Sequence, residues 1–225
     1  MTPFEPNILE YCWDDYNFGA TVANMLGVDD LGAVRGEDFG VTGVVTRDTD
    51  QSSLLHKRFY AEFDRLAPAY RRFVKEMSRR VFPGVAVYHQ AVPTFRVQFP
   101  DNLAVGEFHR DSDYGHRDGA LNVWVPLTPA FGSNTVWIET DLGARYYQPH
   151  ELDPGQVLVF DGVNWSHGNV PNRTGVSRVS FDLRLLPCDK YLDTGARSVS
   201  AGRELRLGDY FAEVDQIATI KEKRT

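Results

Sequence analysis

The sequence has few cysteines, no long apolar segment and no excess of positive charge. Its two cysteines, Cys12 and Cys188, lie far apart without a CxxC or Cys/His neighbour, which argues against a zinc knuckle or a redox pair. We expect two reduced thiols. No apolar run approaches the ~18 residues that suggest a membrane span, and residues 1–30 lack a basic stretch followed by an apolar one. We therefore expect a cytoplasmic protein without a membrane partner.

The charge balance is mildly acidic. The 225 residues include 24 Lys and Arg against 31 Asp and Glu, a formal net charge of −7. This balance argues against nucleic-acid binding, which needs a basic surface to neutralise phosphates, and is compatible with a cationic substrate. With 42% hydrophobic residues the chain can bury one sizeable core, and it shows no internal repeat or interdomain linker. We therefore expect a single domain at 1–225.

A helical pattern is clearest at residues 54–81. Apolar residues recur there every three or four positions, as one face of a helix requires. They are Phe59, Phe63, Leu66, Tyr70, Phe73, Met77 and Val81. Pro68 interrupts the pattern and predicts a kink or a split into two helices. Before about residue 50 the periodicity is weak, and we assign no elements.

After Pro83 and Gly84 the sequence changes to short runs rich in Val, Phe, Tyr and Trp, separated by turn residues. Eight strands are predicted, at 85–90, 94–99, 104–108, 121–127, 135–139, 145–148, 156–160 and 176–185. This number fits a jelly roll. The predicted fold is mainly β with flanking helices: a mixed or helical N-terminal part at 1–84, a jelly-roll core at 85–186 and a C-terminal extension at 187–225.

A His-x-Asp pair and a later histidine form a candidate metal site. In His109-Arg110-Asp111 the two potential ligands are two positions apart, so on a continuous strand both side chains would leave the same face. His167 follows the predicted strand at 156–160, and function tends to lie at such strand ends. Two imidazoles and a carboxylate can occupy three positions of an octahedral ferrous ion and leave three open, as oxygen-activating non-haem iron chemistry requires.

A second His-x-Asp pair, His116 and Asp118, competes for this assignment. It follows a turn instead of a strand and therefore lacks the rigid support that metal ligands need. An isolated His-x-Asp more often forms only a surface hydrogen bond, but the first pair is followed in order by a distal histidine and a strand arginine. We therefore assign the metal to His109, Asp111 and His167.

That arginine belongs to a candidate carboxylate receptor. Alternation along the predicted strand at 176–185 directs Arg178 and Ser180 to the same face. A guanidinium binds a carboxylate at two points and keeps its charge, and a hydroxyl adds a donor. The pair suits the distal carboxylate of 2-oxoglutarate, whose keto-acid end would chelate iron. The alternative is an ordinary ion pair of Arg178 with Asp182 or Asp161.

In combination these residues resemble the iron(II)- and 2-oxoglutarate-dependent oxygenase superfamily: His-x-Asp, a distal His, and an Arg about ten residues beyond, here in an Arg-x-Ser variant. More narrowly, the run HRDSDYGH at 109–116, NVWVPLT at 122–128 and WIE at 137–139 are similar to the StrG-type oxygenases of aminoglycoside biosynthesis. The resemblance covers roughly residues 85–186.

The resemblance implies a double-stranded β-helix (jelly roll, cupin-like) core, with iron(II) held by His109, Asp111 and His167. It implies 2-oxoglutarate binding by Arg178 and Ser180. Asn122 would touch this cosubstrate. The residues that would line the substrate side are Tyr114, His116, Trp137, Glu139 and Arg184. The carboxylate of Asp111 argues against the halogenase variant, in which a small residue takes that place.

The implied reaction consumes O2 and oxidises an unactivated C–H bond, with succinate and CO2 as coproducts. The substrate would be a small polar molecule of aminoglycoside, aminocyclitol or amino-acid type, and hydroxylation, desaturation and ring closure remain open. A homodimer is also left open. Two other functions fit the same residues: a cupin-like metal enzyme that does not use 2-oxoglutarate, and a non-catalytic jelly roll that binds carbohydrate through aromatics such as Trp137 and Trp165.

Overall fold

The computed structural model describes residues 4–46, 49–104, 107–198 and 202–214. The N-terminal part, to which the sequence assigned no elements, contains strand β1 (Asn7–Glu10) and helices α1 (Trp13–Tyr16) and α2 (Phe18–Leu26). Helix α2 ends at Gly27, which adopts the left-handed conformation (φ 69°) and donates its backbone N–H to the last turn.

The predicted helical segment forms two helices, α3 (Leu54–Ala61) and α4 (Ala67–Val81). Ser53 caps α3 by accepting the backbone N–H of His56. Pro68 lies in the first turn of α4, where no intrahelical N–H bond is lost, so the predicted split is confirmed. Within the described part of the chain, no helix combines the length and the apolarity that a membrane crossing needs.

The remaining strands are β2 (Val87–Gln90), β3 (Thr94–Gln98), β4 (Leu121–Pro126), β5 (Val136–Glu139), β6 (Tyr147–His150), β7 (Gln156–Phe160), β8 (His167–Gly168), β9 (Arg178–Pro187) and β10 (Phe211–Glu213). Every ladder between them is antiparallel. A seven-stranded sheet has the order β1-β7-β4-β9-β2-β10, with β3 also paired to β9, and a three-stranded sheet has the order β6-β5-β8.

The strand predicted at 104–108 is wrong where the structure describes it. Residues 104, 107 and 108 lie outside any strand, and 105–106 fall outside the described residues. The preceding chain turns at Asp101 (φ 58°), and the Asn102 side chain accepts the backbone N–H groups of Val45 and Leu103. Side-chain bonds of this kind compete with the sheet ladder for the backbone.

Alternation along β4 and β9 separates an apolar layer from a polar one. The odd-numbered residues of β9, Val179 to Leu185, pack with α2, α3 and α4 in the main core, where each buried Phe or Leu contributes ~1.5–3 kcal/mol. A second core lies between the two sheets and includes Trp124, Ile138, Leu158 and Phe160. The even-numbered residues of β9 therefore face the space between the sheets, where a site can form.

Both cysteines are free thiols, as the sequence predicts: Cys12 is exposed and Cys188 is half-buried. Cys188 begins a short 3-10 turn directly after β9.

Candidate metal centre

The three predicted ligands lie together at one end of the space between the sheets. His109 and His167 form an isolated antiparallel bridge, with N···O distances of 3.0 and 2.9 Å between their backbones. Asp111 does not continue a strand from His109, because it begins a 3-10 turn, Asp111–Tyr114. Its backbone N–H donates to the carbonyl of Gly162 at 2.7 Å. The convergence therefore comes from a bridge and a turn, not from strand parity.

The potential ligand atoms of His109, Asp111 and His167 all lie within 4.8 Å of one another. Oδ1 of Asp111 is 3.8 Å from Nε2 of His109 and 3.9 Å from Nε2 of His167. Each Nδ1 lies against a backbone carbonyl, that of Glu107 at 3.0 Å and that of Trp165 at 3.1 Å. An Nδ1–H that donates to a carbonyl leaves the lone pair on Nε2, so both rings present a ligand atom to a shared ion.

The electrostatics of the cluster favour the forms that bind a cation. Burial lowers the pKa of His109 to about 4, helped by the neighbouring His167, and burial likewise lowers the pKa of His167. Burial opposes ionisation of Asp111, but the Arg184 guanidinium and the nearby histidines hold the pKa of that carboxyl well below its usual range. At neutral pH the site therefore offers two neutral imidazoles and one carboxylate, as metal binding requires.

The second oxygen of Asp111 is held by neighbouring strands. Oδ2 accepts from Nδ2 of Asn122 at 2.9 Å, and from Nε and Nη2 of Arg184 at 3.0 and 2.7 Å. The sequence placed Asn122 at the cosubstrate and Arg184 at the substrate; both line the cavity beside the metal ligands, but each also donates to Asp111. A Cβ at Gly162 would come within 2.6 Å of Asn122 Nδ2 and 3.0 Å of Asp111 Oδ2, so only glycine fits there.

Arg178 is buried in the same cavity, with 2% of its surface exposed. It donates from Nε to the carbonyl of Asn134 at 2.9 Å, from Nη1 to Oγ of Ser180 at 2.7 Å and from Nη2 to Oε1 of Gln98 at 3.2 Å. All three acceptors are neutral. The guanidinium also lies 5.4 Å from the ring centre of Trp124, a cation–π distance.

Among the residues that the structure describes, no carboxylate forms an ion pair with Arg178, which rejects the alternative of an ordinary ion pair. Asp182 pairs with Arg96 at 3.1 Å, and Asp161 accepts from the side-chain amide of Asn164 at 2.8 Å. Burial and the charge of Arg96 lower the pKa of Arg178 to about 9, and the opposite charge of Asp182 offsets them only in part.

Arg178 and two of the three candidate metal ligands, His109 and His167, line one cavity. The residues that line it are Arg96, His109, Asn122, Trp124, Val136, Phe160, His167, Gly168, Asn169, Arg178, Asp182 and Arg184. Eight of these twelve residues are polar or charged, and Trp124, Val136 and Phe160 supply the apolar part of the wall. Ser180 is fully buried behind Arg178 and accepts its hydrogen bond.

A wider cleft opens beside His109. Its lining residues are Phe108, His109, Arg110, Asp113, Glu139, Gly143, Arg145, Tyr147 and Ser166. Glu139, predicted on the substrate side, accepts from the backbone N–H of Arg145 at 2.8 Å and from Arg110 at 3.3 Å, and therefore anchors the loop between β5 and β6. Burial opposes its ionisation, but backbone N–H groups of that loop lower the pKa of Glu139.

The other predicted substrate residues are dispersed. The ring of Tyr114 lies 5.1 Å from that of His109, beside the metal ligands. His116 is buried, with its ring 5.7 Å from that of Tyr210, and it lines a surface cleft with Asp118. The structure thus brings the first His-x-Asp to His167 and leaves the second outside the cluster. Trp137 is half-buried on β5, paired with Gly168, and its indole nitrogen has no hydrogen-bond partner among the described residues.

Several supporting residues were not recognised in the sequence as parts of the site. Alternation along β3 puts Gln98 on the same polar, pocket-facing side as Arg96, but it does not show that Gln98 accepts from Arg178. Asn134 contributes only its backbone carbonyl, and Tyr210 lies in the C-terminal extension, so no local pattern marks either one. Gly162 stands in a turn sequence, and only the approach of Asp111 and Asn122 shows why it is glycine.

No family model matches the chain. One curated protein, "Streptomycin biosynthesis protein StrG" from Streptomyces griseus, is 42% identical over 193 residues, which covers 86% of this chain and 90% of the relative. The chain belongs to the StrG family. This confirms the narrower of the two resemblances that the sequence showed.

Solved structures share the fold of this StrG-family chain at low sequence identity. The nickel complex of the non-haem monooxygenase ThoJ has a TM-score of 0.56 at 13% identity and covers 93% of this chain and 80% of its own. Iron-bound EctD from S. alaskensis has a TM-score of 0.50 at 19% identity, with coverages of 83% and 74%. The predicted jelly-roll fold of non-haem oxygenases is confirmed.

Proposed function

We propose that this StrG-family protein is an iron(II)- and 2-oxoglutarate-dependent oxygenase. The observation that carries the proposal is the buried Arg178, which has no acidic partner among the described residues and opens into the same cavity as His109 and His167. A cation site and an anion site in one cavity suit a cosubstrate that binds the metal at one end and the Arg178 guanidinium at the other.

The donor set fits ferrous iron. His109, Asp111 and His167 would hold it through two imidazole nitrogens and one carboxylate oxygen, the combination typical of non-haem iron oxygenases. When bound together with 2-oxoglutarate and O2, the iron would supply the oxidising power for an unactivated C–H bond. The protein's own contribution is to orient the ligands, anchor the cosubstrate and keep water out.

Arg178 is prepared to receive a carboxylate. A guanidinium has five N–H groups, and three of them already donate to Asn134, Ser180 and Gln98. One N–H on each terminal nitrogen is left, which is the fork that a carboxylate binds in two places. Trp124, Val136 and Phe160 line the same cavity and Arg178 is 2% exposed, and a low dielectric strengthens such a charged bond.

The cleft beside His109 supports a small polar substrate. It presents both signs of charge, from Arg110 and Arg145 and from Asp113 and Glu139, together with the aromatic ring of Tyr147. These groups can hydrogen-bond amino and hydroxyl groups. Because the relative is named for streptomycin biosynthesis, we propose an aminoglycoside, aminocyclitol or amino-acid type intermediate, oxidised by hydroxylation, desaturation or ring closure.

The test is oxygen consumption by the purified protein with iron(II) and candidate aminocyclitols, with and without 2-oxoglutarate. We expect uptake only when 2-oxoglutarate is present, with succinate formed in step, and no uptake by the His167→Ala variant. Oxygen uptake that does not depend on 2-oxoglutarate would favour a cupin-like metal enzyme instead. Failure to bind iron(II) at micromolar concentration would favour a non-catalytic carbohydrate-binding jelly roll.

A further inference from the structure

The two oxygens of the Asp111 carboxylate have different neighbours. Oδ1 faces Nε2 of His109 and of His167 at 3.8 and 3.9 Å. Oδ2 accepts three hydrogen bonds, one from Asn122 and two from Arg184. A carboxylate oxygen has two lone pairs, so three donors occupy all of its acceptor capacity. Only Oδ1 is left to bind an ion.

Charge reinforces this division. The Arg184 guanidinium contacts Oδ2 with two of its nitrogens, and both side chains are buried, Asp111 with 1% and Arg184 with 8% exposed surface. In such a low-dielectric site a fixed positive charge repels a metal ion from that side of the carboxylate. A cation can therefore approach Asp111 only from the side of the histidines.

The two donors are held on rigid elements. Asn122 on β4 and Arg184 on β9 are direct cross-strand partners, so their side chains leave the sheet together toward Asp111. Nη1 of Arg184 donates to the hydroxyl of Tyr210 at 2.8 Å, and this hydroxyl donates to Oε1 of Gln90 at 2.9 Å. The C-terminal extension thus contributes to holding Arg184.

We propose that Arg184 and Asn122 are positioning residues that make Asp111 bind the metal through one oxygen. Because each histidine also supplies one ligand atom, an octahedral ion keeps about three open positions. A two-oxygen carboxylate would occupy one of these positions. The proposal rests on the metal site of the proposed function and concerns how many positions that site leaves free.

The experiment counts the exchangeable waters on Mn(II) bound to the protein without 2-oxoglutarate, by water-proton relaxation. We expect about three waters in the parent protein and about two in Arg184→Met, in which Asp111 can turn both oxygens to the ion. Arg184→Met also leaves a buried carboxylate without its partner and risks misfolding. A second variant, Asn122→Ala with Arg184→Gln, removes the positive charge, keeps a polar side chain beside Asp111 and reduces the donors on Oδ2 to at most one; we expect about two waters there as well.

Arg178→Lys is the matched control, since Arg178 lies on the same strand but does not contact Asp111. It should keep about three waters and lose affinity for 2-oxoglutarate. If both Asp111-site variants bind Mn(II) and keep the parent's water number, Arg184 and Asn122 support the fold alone and the proposal is overturned. If the parent itself binds no Mn(II), the metal site of the proposed function fails, and this proposal fails with it.

Discussion

Replacing Arg178 with methionine should weaken 2-oxoglutarate binding far more than binding of a 2-oxo acid that lacks the distal carboxylate. Each terminal nitrogen of the guanidinium keeps one N–H beyond its hydrogen bond to a described residue, and Arg178 lines the cavity shared with His109 and His167. Those two groups would hold the distal carboxylate. The keto-acid end would be bound by the metal and should not depend on Arg178.

The size of the effect follows from two charge-assisted hydrogen bonds. Each contributes roughly 1.5–3 kcal/mol in a protein. Their sum, ~3–6 kcal/mol, corresponds to a roughly 10²- to 10⁴-fold rise in the Kd, since each 1.4 kcal/mol is tenfold. Arg178 is buried to 2% exposure, so solvent does not screen these bonds and the full range applies.

The assay is anaerobic calorimetric titration of the metal-loaded protein with 2-oxoglutarate and, separately, with pyruvate. Arg178→Met should raise the Kd for 2-oxoglutarate within that range and leave the Kd for pyruvate within about threefold, well under 1 kcal/mol. Arg173→Met, whose side chain is 69% exposed, is the matched control and should change neither. An equal loss of affinity for both ligands, or no loss of affinity for 2-oxoglutarate, would refute the assignment of Arg178 as the carboxylate receptor.

Three further predictions concern other parts of the site and the core. Gly162→Ala places a methyl group 2.6 Å from Asn122 Nδ2 and should lower metal affinity roughly 10- to 100-fold by calorimetry, whereas Gly43→Ala, with open space around it, should not. Burial lowers the pKa of His56 to about 4, so the unfolded chain binds more protons between pH ~6.5 and 4. The free energy of unfolding of the metal-free protein should therefore fall as pH drops through that window, and His56→Gln should reduce the slope in chemical denaturation; an unchanged slope would contradict this. Glu139→Ala releases the anchored β5–β6 loop and should raise the KM for the substrate while the Kd for 2-oxoglutarate stays the same. If the KM and the Kd rose together, Glu139 would lie at the cosubstrate instead.

The sequence was most informative where periodicity and side-chain chemistry coincide. The alternation in β9 predicted that Arg178 and Ser180 share one face, and Pro68 predicted where the helical segment divides. Both predictions depend on the local geometry of one element. For the same reason the sequence could select Arg178 as a residue directed away from the core.

Local sequence patterns do not predict contacts between distant segments. The bond from Arg184 to Asp111 spans 73 positions and depends on how β9 lies beside the turn at 111–114. The sequence therefore suggested Arg184 as a pocket residue on the substrate side, although its guanidinium donates to Asp111, a predicted metal ligand. The strand predicted at 104–108 failed because Asn102 offers the backbone other partners. His109 and Asp111 still converge, through a bridge to His167 that no local pattern encodes.

The central claim is that a metal ion and a dicarboxylate bind in one cavity, between the histidines and Arg178. The most direct test is anaerobic titration with iron(II) and 2-oxoglutarate while the visible charge-transfer absorption of an iron-bound 2-oxo acid is recorded. The band should appear only when both are present, saturate at one equivalent of each, and be absent in His167→Ala. Binding of 2-oxoglutarate with the same affinity in the presence and absence of iron, without the band, would contradict the claim.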